Sequence, residues 1–284
     1  MKTLMFYSYK GGSGRTVAVA NVAAAMAKLG KRVAVIDLDF EAPGLQHVFV
    51  AEDTEQFGSG VGVQQFLLGE RDIEELSALG TIDMFGSTGP LRGNFIPKGA
   101  FLLYVLASPG VTDLSARARE VSPKMKGLLK ALEEKHNLDL VVIDAASGLR
   151  AAFEVAINVS DEMLVFFRWS TQHVEGTIRV AKYMRMMKEF QTGRPIPYKL
   201  VASAVPDLEE LRKEPENIGG PLLRSNEETR IKISDTLTEC KAVPTEVFYE
   251  IPEMLQLKWR ETVIVFDAPD SAYEGLAKKL LDSF

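Results

Sequence analysis

The sequence predicts a doubly wound α/β fold, in which a mostly parallel sheet of about seven strands carries helices on both faces. Short apolar runs alternate with amphipathic stretches along the chain, as they do in proteins of this class. Several runs are almost continuously apolar, which is typical of parallel strands buried on both faces. The composition, with 46% apolar and 25% charged residues, is that of a globular protein.

Seven apolar runs are the predicted strands, and they cover residues 3–8, 32–38, 101–106, 138–144, 163–167, 199–205 and 247–251. Helical periodicity and terminal signals predict four helices, at residues 16–29, 122–135, 174–190 and 271–281. The first helix is rich in alanine and ends at Gly30, and the second begins at Ser122 and Pro123.

We expect a single α/β domain over residues 1–284, because a chain of this length can bury one large core and no linker or repeat interrupts it. Two segments fit the alternation less well. Residues 51–100 are rich in glycine, and residues 206–238 are dense in charge. We expect both segments to decorate the sheet.

The charge and cysteine content indicate which binding partners and which cellular compartment the protein can have. A net charge of −6 and a pI near 5.3 argue against a whole surface that attracts nucleic acid or anionic lipid. Cys240 is the single cysteine, so an intrachain disulfide is excluded and a reducing compartment is indicated. No run approaches the roughly 18 apolar residues that span a bilayer. We expect a cytoplasmic protein with no stable membrane anchor.

The segment from Lys10 to Thr16 reads KGGSGRT, directly follows the first predicted strand and leads into the first helix. Glycines let successive backbone N–H groups curl around an anion, and a helix N-terminus adds partial positive charge. The segment is therefore a candidate phosphate-binding loop. Its candidate binding residues are Gly11, Gly12, Ser13, Gly14, Arg15, Thr16 and Val17.

The general P-loop pattern is G-x-x-x-x-G-K-[ST], and this segment departs from it at two positions. Tyr9 stands in place of the first glycine, and Arg15 in place of the lysine. Thr16 stands where the hydroxyl of a P-loop reaches Mg²⁺. The segment instead resembles the deviant Walker-A loop of the ParA/MinD family, K-G-G-x-G-K-[ST], whose early signature lysine is Lys10 here.

Further motifs strengthen this resemblance. The run VIDLD, which ends at Asp39, is similar to the second motif of the family, and the apolar run that ends at Asp144 is similar to its Walker B element. The family pattern implies that Asp39 orients the attacking water and that Thr16, Asp39 and Asp144 surround Mg²⁺. The segment IPE around Pro252 also looks familial, which makes Pro252 a candidate nucleotide contact.

The resemblance implies a slow ATPase that uses ATP and Mg²⁺, dimerises with ATP and acts in positioning, partitioning or regulatory assembly. It implies that Lys10 crosses the dimer interface to the partner's phosphates, so Lys10, Arg15 and Asp39 form the candidate catalytic set. A regulatory or cargo protein is the expected further partner. Arg15 has a wider, planar head than lysine, so it can bridge two phosphates yet misplace the charge, and we expect slow hydrolysis.

Two stretches depart from the family pattern. The residues after Asp144 lack the proline common there, which leaves the switch behaviour of that loop open. The segment around Ser203 lacks the asparagine that usually contacts adenine, which leaves the choice between adenine and guanine open.

Other functions remain as alternatives. Arg15 favours a nonhydrolysing scaffold in which ATP only stabilises an assembly, and an ATP-dependent ligase or synthetase is a third possibility. An iron–sulfur reductase is disfavoured by the single cysteine, and a tyrosine kinase by a C-terminal region whose sole tyrosine is Tyr273. A basic stripe on the helix at 174–190 could contact DNA, although a solvated face is the favoured interpretation; it comprises Arg179, Lys182, Arg185 and Lys188.

Overall fold

The computed structural model describes residues 1–40, 42–49, 61–107, 118–149, 151–190, 196–239, 246–268 and 270–284. Cys240 lies outside the described residues, as do residues 51–60 of the predicted decorating segment 51–100. Among the helices within these ranges, none combines the length and apolarity that crossing a membrane requires.

One sheet contains all the described strands, which are β1 (Lys2–Tyr7), β2 (Arg32–Leu38), β3 (Thr81–Asp83), β4 (Phe101–Val105), β5 (Leu140–Ala145), β6 (Glu162–Phe167), β7 (Tyr198–Val205) and β8 (Val247–Pro252). Their order across the sheet is β3-β4-β2-β5-β1-β6-β7-β8. Every neighbouring pair is parallel except β3 and β4, which are antiparallel.

The helices are α1 (Arg15–Lys28), α2 (Leu45–Phe49), α3 (Val63–Leu68), α4 (Ile73–Leu79), α5 (Ala118–His136), α6 (Ala151–Val159), α7 (Thr171–Phe190), α8 (Leu208–Lys213), α9 (Glu216–Glu239), α10 (Leu255–Trp259) and α11 (Ala272–Leu281). The predicted fold class, a doubly wound and mostly parallel α/β sheet, is confirmed. The seven predicted strands correspond to seven of the eight that the sheet contains.

The differences from the prediction have local causes. The eighth strand, β3, has three residues and pairs only at the edge of the sheet, so it offers no apolar run to detect. Helix α5 begins at Ala118 and contains Pro123, whereas Ser122 and Pro123 had marked its start. Helix α9 is 24 residues long and covers the charged segment from Glu216 to its end. The prediction of a single domain stays a prediction.

The core has two layers, one on each face of the sheet. Alternate residues of β1 enter opposite layers, with Met5 and Tyr7 in one and Leu4 and Phe6 in the other. Helix α1 lies in the second layer and is buried over most of its length, because its alanines allow close approach to the sheet. Helix α11 packs against α1 on the same face.

The strand order brings three functional segments together. Strands β2, β5 and β1 are neighbours at the centre of the sheet and parallel, so their carboxyl ends share one edge. Asp37 of β2 pairs in register with Asp144 of β5 at that edge. The Lys10–Thr16 loop leaves β1 beside them, at the edge where open α/β sheets bind ligands.

Candidate functional site

The glycine-rich loop adopts a conformation that depends on its glycines. Gly12 and Gly14 have φ values of +75° and +73°, in the left-handed region that residues with side chains rarely adopt. A Cβ placed on Gly11, Gly12 or Gly14 would meet no atom within 4 Å. The three glycine positions of this loop, called the cradle below, are therefore not covered by other parts of the chain, which leaves room for a phosphate.

The N-terminus of α1 faces this cradle. Gly14 is its N-cap residue and has no side-chain capping hydrogen bond. The first backbone bond of the helix runs from Ala18 N to Gly14 O at 3.0 Å. The amides of Arg15, Thr16 and Val17 precede that bond, and such first-turn N–H groups have no intrahelical acceptor. They are donors available to an anion.

The Arg15 side chain turns away from the cradle and into the sheet edge, where it is 6% exposed. Its Nε donates to Asp144 Oδ1, and its Nη2 donates to Asp39 Oδ2 at 3.0 Å. Its Nη1 donates to Ser8 Oγ at 3.2 Å and to Ser147 Oγ at 3.1 Å. The guanidinium thus joins residues at or beyond the ends of β1, β2 and β5.

The buried carboxyls shift one another's titration. Burial raises the pKa of Asp37 well above its usual range, and repulsion from Asp144 adds to the rise. Burial also raises the pKa of Asp144, although Arg15 and the Thr16 hydroxyl oppose that change. Burial by itself lowers the pKa of Arg15, but Asp144 and Asp39 outweigh it and the pKa is raised, so the guanidinium stays charged.

Asp37 also organises the turn beyond β2. Its Oδ1 accepts a hydrogen bond from Asp39 N at 2.9 Å, and its Oδ2 accepts one from Leu45 N at 3.4 Å. Asp39 Oδ1 in turn accepts one from Ala42 N at 3.3 Å. These bonds hold the Asp39 carboxylate toward the loop, where 16% of its side chain is exposed.

The predicted metal residues Thr16, Asp39 and Asp144 lie together, and they fit a Mg²⁺ ion that also uses phosphate oxygens. Asp144 Oδ2 is buried and has no hydrogen-bond partner among the described residues. The described ranges contain no group of three or more His, Cys, Asp or Glu side chains that could hold a metal ion by themselves. Mg²⁺ characteristically binds through one or two carboxylates plus substrate phosphates, and the carboxylates of Asp39 and Asp144 match the protein part of that set.

Lys10 lies apart from this cluster. Its side chain is exposed, and its Nζ donates to Gln172 Oε1 of α7 at 3.1 Å. The protomer's own cradle therefore does not receive the Lys10 ammonium in this arrangement. A long cation at the rim of a phosphate loop is accessible to a second molecule.

An open cleft continues from the loop toward β7 and β8. Its volume is about 540 Å³, including the part open to solvent. It is lined by the predicted contacts Ser13, Gly14, Val17 and Pro252, and also by Arg168, Ser203, Ala204, Ile251, Glu253, Met254, Leu257, Glu261 and Tyr273. The cleft thus connects the loop with the carboxyl ends of β7 and β8.

Three serines belong to the site although no sequence motif singled them out for it. Ser203 Oγ contacts Ser13 O and lies 3.2 Å from Phe167 O, so it ties the loop to β7 and β6. Ser8 and Ser147 share the Arg15 guanidinium. Isolated serines carry no pattern, and only their place at the carboxyl edge of the sheet could have indicated them.

Comparison with known proteins identifies the family of the chain. A family model described as an AAA domain matches residues 1–193. An uncharacterised ATP-binding protein of Methanocaldococcus jannaschii is 27% identical over 173 residues, which is 61% of this chain and 55% of that protein. The septum site-determining protein MinD of Synechocystis sp. is 27% identical over 164 residues, which is 58% of this chain and 52% of MinD. The chain belongs to the ParA/MinD family of P-loop ATPases.

The fold of this ParA/MinD-family chain extends beyond the matched segment. The MinD cell division protein of Aquifex aeolicus superimposes with a TM-score of 0.65 and 20% identity, over 99% of this chain and 98% of MinD. At that identity the likeness is one of fold. In sequence, the chain spans about half the length of the curated relatives it matches.

Proposed function

We propose that this ParA/MinD-family chain is a slow, Mg²⁺-dependent ATPase that works as an ATP-controlled dimerising switch in positioning, partitioning or regulatory assembly. One observation carries the proposal. The uncapped N-terminus of α1 follows a glycine loop that is not covered by other parts of the chain, the Thr16 hydroxyl lies beside Asp144, and the cleft joins the loop to Pro252.

Each part of the chain has a proposed role in this reaction. The amides of Arg15, Thr16 and Val17 bind phosphate oxygens at the helix N-terminus. Thr16 and Asp144 hold Mg²⁺, which when bound neutralises phosphate charge. Asp39 orients the water whose oxygen attacks the γ-phosphorus, and Lys10 supplies positive charge to the partner's phosphates. Val17 and Pro252 border the nucleoside.

Calorimetry tests nucleotide binding directly. ATP is titrated into the protein with Mg²⁺ and again with a chelator. GTP is titrated in parallel, because the sequence motifs do not specify whether the site selects adenine or guanine. We expect binding of Mg²⁺-ATP that weakens when the metal is withdrawn. A folded protein that binds neither nucleotide at millimolar ligand would refute the proposal.

A nonhydrolysing, ATP-stabilised scaffold is the second candidate, and the Arg15 contact with Asp39 favours it. A guanidinium bonded to Asp39 Oδ2 at 3.0 Å competes with a water molecule for that carboxylate. Phosphate release at saturating ATP separates the two functions, since a scaffold binds without turnover. The proposal also includes a cytoplasmic location and a regulatory or cargo protein as partner, with DNA as the weaker candidate partner.

A further inference from the structure

Arg15 uses almost all its hydrogen-bonding capacity on the protein itself. A guanidinium has five N–H donors. Four of them are directed at Asp144, Asp39, Ser8 and Ser147, on segments that are far apart in sequence. One donor is left for any other acceptor. The side chain that the loop motif assigns to phosphate is therefore committed elsewhere.

This network requires arginine rather than lysine. A lysine has one compact ammonium at the end of its stem, whereas the guanidinium presents donors on three separate nitrogens in a planar fork. Nε and Nη2 reach the two carboxylates while Nη1 reaches the two serines. The exchange of lysine for arginine at residue 15 thus creates a bridge between the loops that follow β2 and β5.

The same bridge takes up one oxygen of each carboxylate that would bind a metal ion, and it leaves Asp144 Oδ2 without a hydrogen bond. Asp144 Oδ1 and Asp39 Oδ2 both accept from Arg15, whose charge compensates theirs. Asp144 is fully buried and Arg15 is 6% exposed, so this pairing is little screened by solvent. A divalent cation at these carboxylates would stand beside a fixed positive charge and would be repelled by it.

We propose that Arg15 is an internal cation that closes the metal site, and that nucleotide phosphate, not the metal, opens it. The inference rests on the proposed function, because phosphate is the anion that reaches the first turn of α1. Arg15 is also the first residue of that helix, so its side chain and the phosphate site share one residue. Withdrawal of the guanidinium releases Asp39 and Ser147 together, which couples nucleotide binding to both loops.

Metal binding in the absence of nucleotide tests the first part of the proposal, that Arg15 closes the metal site. Mn²⁺, used as the probe, is titrated into nucleotide-free protein, and free Mn²⁺ is followed by electron paramagnetic resonance. We expect no specific site in the wild type at millimolar Mn²⁺. Arg15→Gln should gain one site, with affinity at least about tenfold higher than any wild-type binding, and Arg15→Gln with Asp144→Asn should lose it.

Two further variants secure this result. Arg15→Lys keeps the charge and disturbs the fold least, but its single ammonium cannot bridge both carboxylates. It should therefore bind Mn²⁺ more tightly than the wild type and more weakly than Arg15→Gln. Arg32→Gln removes an arginine at the opposite edge of the sheet, where Arg32 donates to Gly99 O, and it should match the wild type. Specific Mn²⁺ binding by the nucleotide-free wild type, or its absence from both Arg15 variants, would overturn the inference.

Nuclear magnetic resonance tests the second part of the proposal, that phosphate opens the site. The signal followed is that of the Arg15 Nε–H, which is assigned because it is missing from the spectrum of Arg15→Lys. ATP added with a chelator should shift or remove that signal, because phosphate alone draws the side chain from Asp144. An unchanged signal in protein that calorimetry shows to be saturated with ATP would overturn this part. If the protein binds no ATP, the proposed function fails, while the nucleotide-free Mn²⁺ result still decides whether Arg15 closes the site.

Discussion

The ring of Tyr9 packs directly on the backbone of Gly176 in α7, so closely that a Cβ on residue 176 would stand 2.4 Å from Tyr9 Cδ1. Arg179 of the same helix donates to the Tyr9 hydroxyl at 3.2 Å. Lys10, the next residue, bonds to Gln172 one turn earlier in α7. Helix α7 therefore holds the start of the phosphate loop, at the position where the general pattern has a glycine.

Gly176→Ala should displace Tyr9 and disturb the loop. We expect a loss of about 1–3 kcal/mol in the free energy of unfolding, as overpacking typically costs, together with weaker ATP binding. Urea denaturation and calorimetry measure the two effects. Gly127→Ala in α5 is the matched control, because a Cβ there meets nothing within 4 Å and alanine favours a helix. If Tyr9→Ala does not relieve the cost of Gly176→Ala, the contact is not its cause.

Asp39→Ala should retain ATP binding and lose most hydrolysis. A carboxylate that positions water contributes to the transition state more than to ground-state affinity. Binding is measured by calorimetry and turnover by phosphate release. Equal turnover in the variant and the wild type would reduce Asp39 to a structural partner of Arg15. Undetectable turnover in the wild type would instead support the second candidate function, a nonhydrolysing scaffold that ATP stabilises.

Lys10→Ala should weaken ATP-dependent dimerisation more than nucleotide binding by the monomer. The Lys10 side chain is exposed and contacts α7, not its own cradle, so its charge is available in trans. Sedimentation with a nonhydrolysable ATP analogue measures the effect. Gln172→Ala is the control, since it removes the Lys10 contact within the protomer and leaves the ammonium. An ATP-dependent dimer that persists unchanged in Lys10→Ala would exclude the trans role.

Thr16→Ala should reduce the advantage that Mg²⁺ gives to ATP binding, by about tenfold or more. Its hydroxyl lies beside Asp144, where we propose the metal ion binds, and affinity for ATP with a chelator should change little. The ratio of the two calorimetric affinities is the measurement. A variant that weakens both affinities equally would show that Thr16 serves the loop conformation instead.

Glu274→Gln should lower stability at neutral pH and not in acid. Hydrogen bonds from Lys28 and Lys278, at 2.8 and 2.9 Å, lower the pKa of Glu274 below its ordinary 4.5 and join α11 to α1. A carboxyl whose pKa is lower in the folded state stabilises the fold above its unfolded pKa, and this contribution is lost as the pH falls through the folded value.

Melting temperatures of the wild type and Glu274→Gln, measured from acid to neutral pH, test the direction of this effect. The gap should be widest at neutral pH and should close well below 4.5. Glu134→Gln is the control, because its pair with Lys130 is exposed and spans 3.8 Å. A gap of constant size at every pH would show that the charge of Glu274 contributes nothing.

The sequence by itself determined the features that depend on neighbouring residues. The alternation of apolar runs and helical stretches predicted the fold class, because burial on both faces of a parallel strand imposes an apolar run. The loop from Lys10 to Thr16 was recognisable because all its residues are consecutive and stand between a strand and a helix. Asp39 and Asp144 were found because each follows or ends an apolar run.

Only the tertiary structure decided which of these residues meet. Arg15 contacts Asp144, 129 residues away, and Ser203 contacts Ser13, 190 residues away, because the strand order places β2, β5 and β1 side by side and β7 near the loop. Ser203 stands in no local pattern, and the apolar run that marks Asp144 does not indicate what Asp144 contacts. The Arg15 guanidinium can point to the phosphate cradle or to the carboxylates, and the acceptors at three strand ends decide between them. These acceptors are far apart in the sequence, and only the folded sheet brings them together.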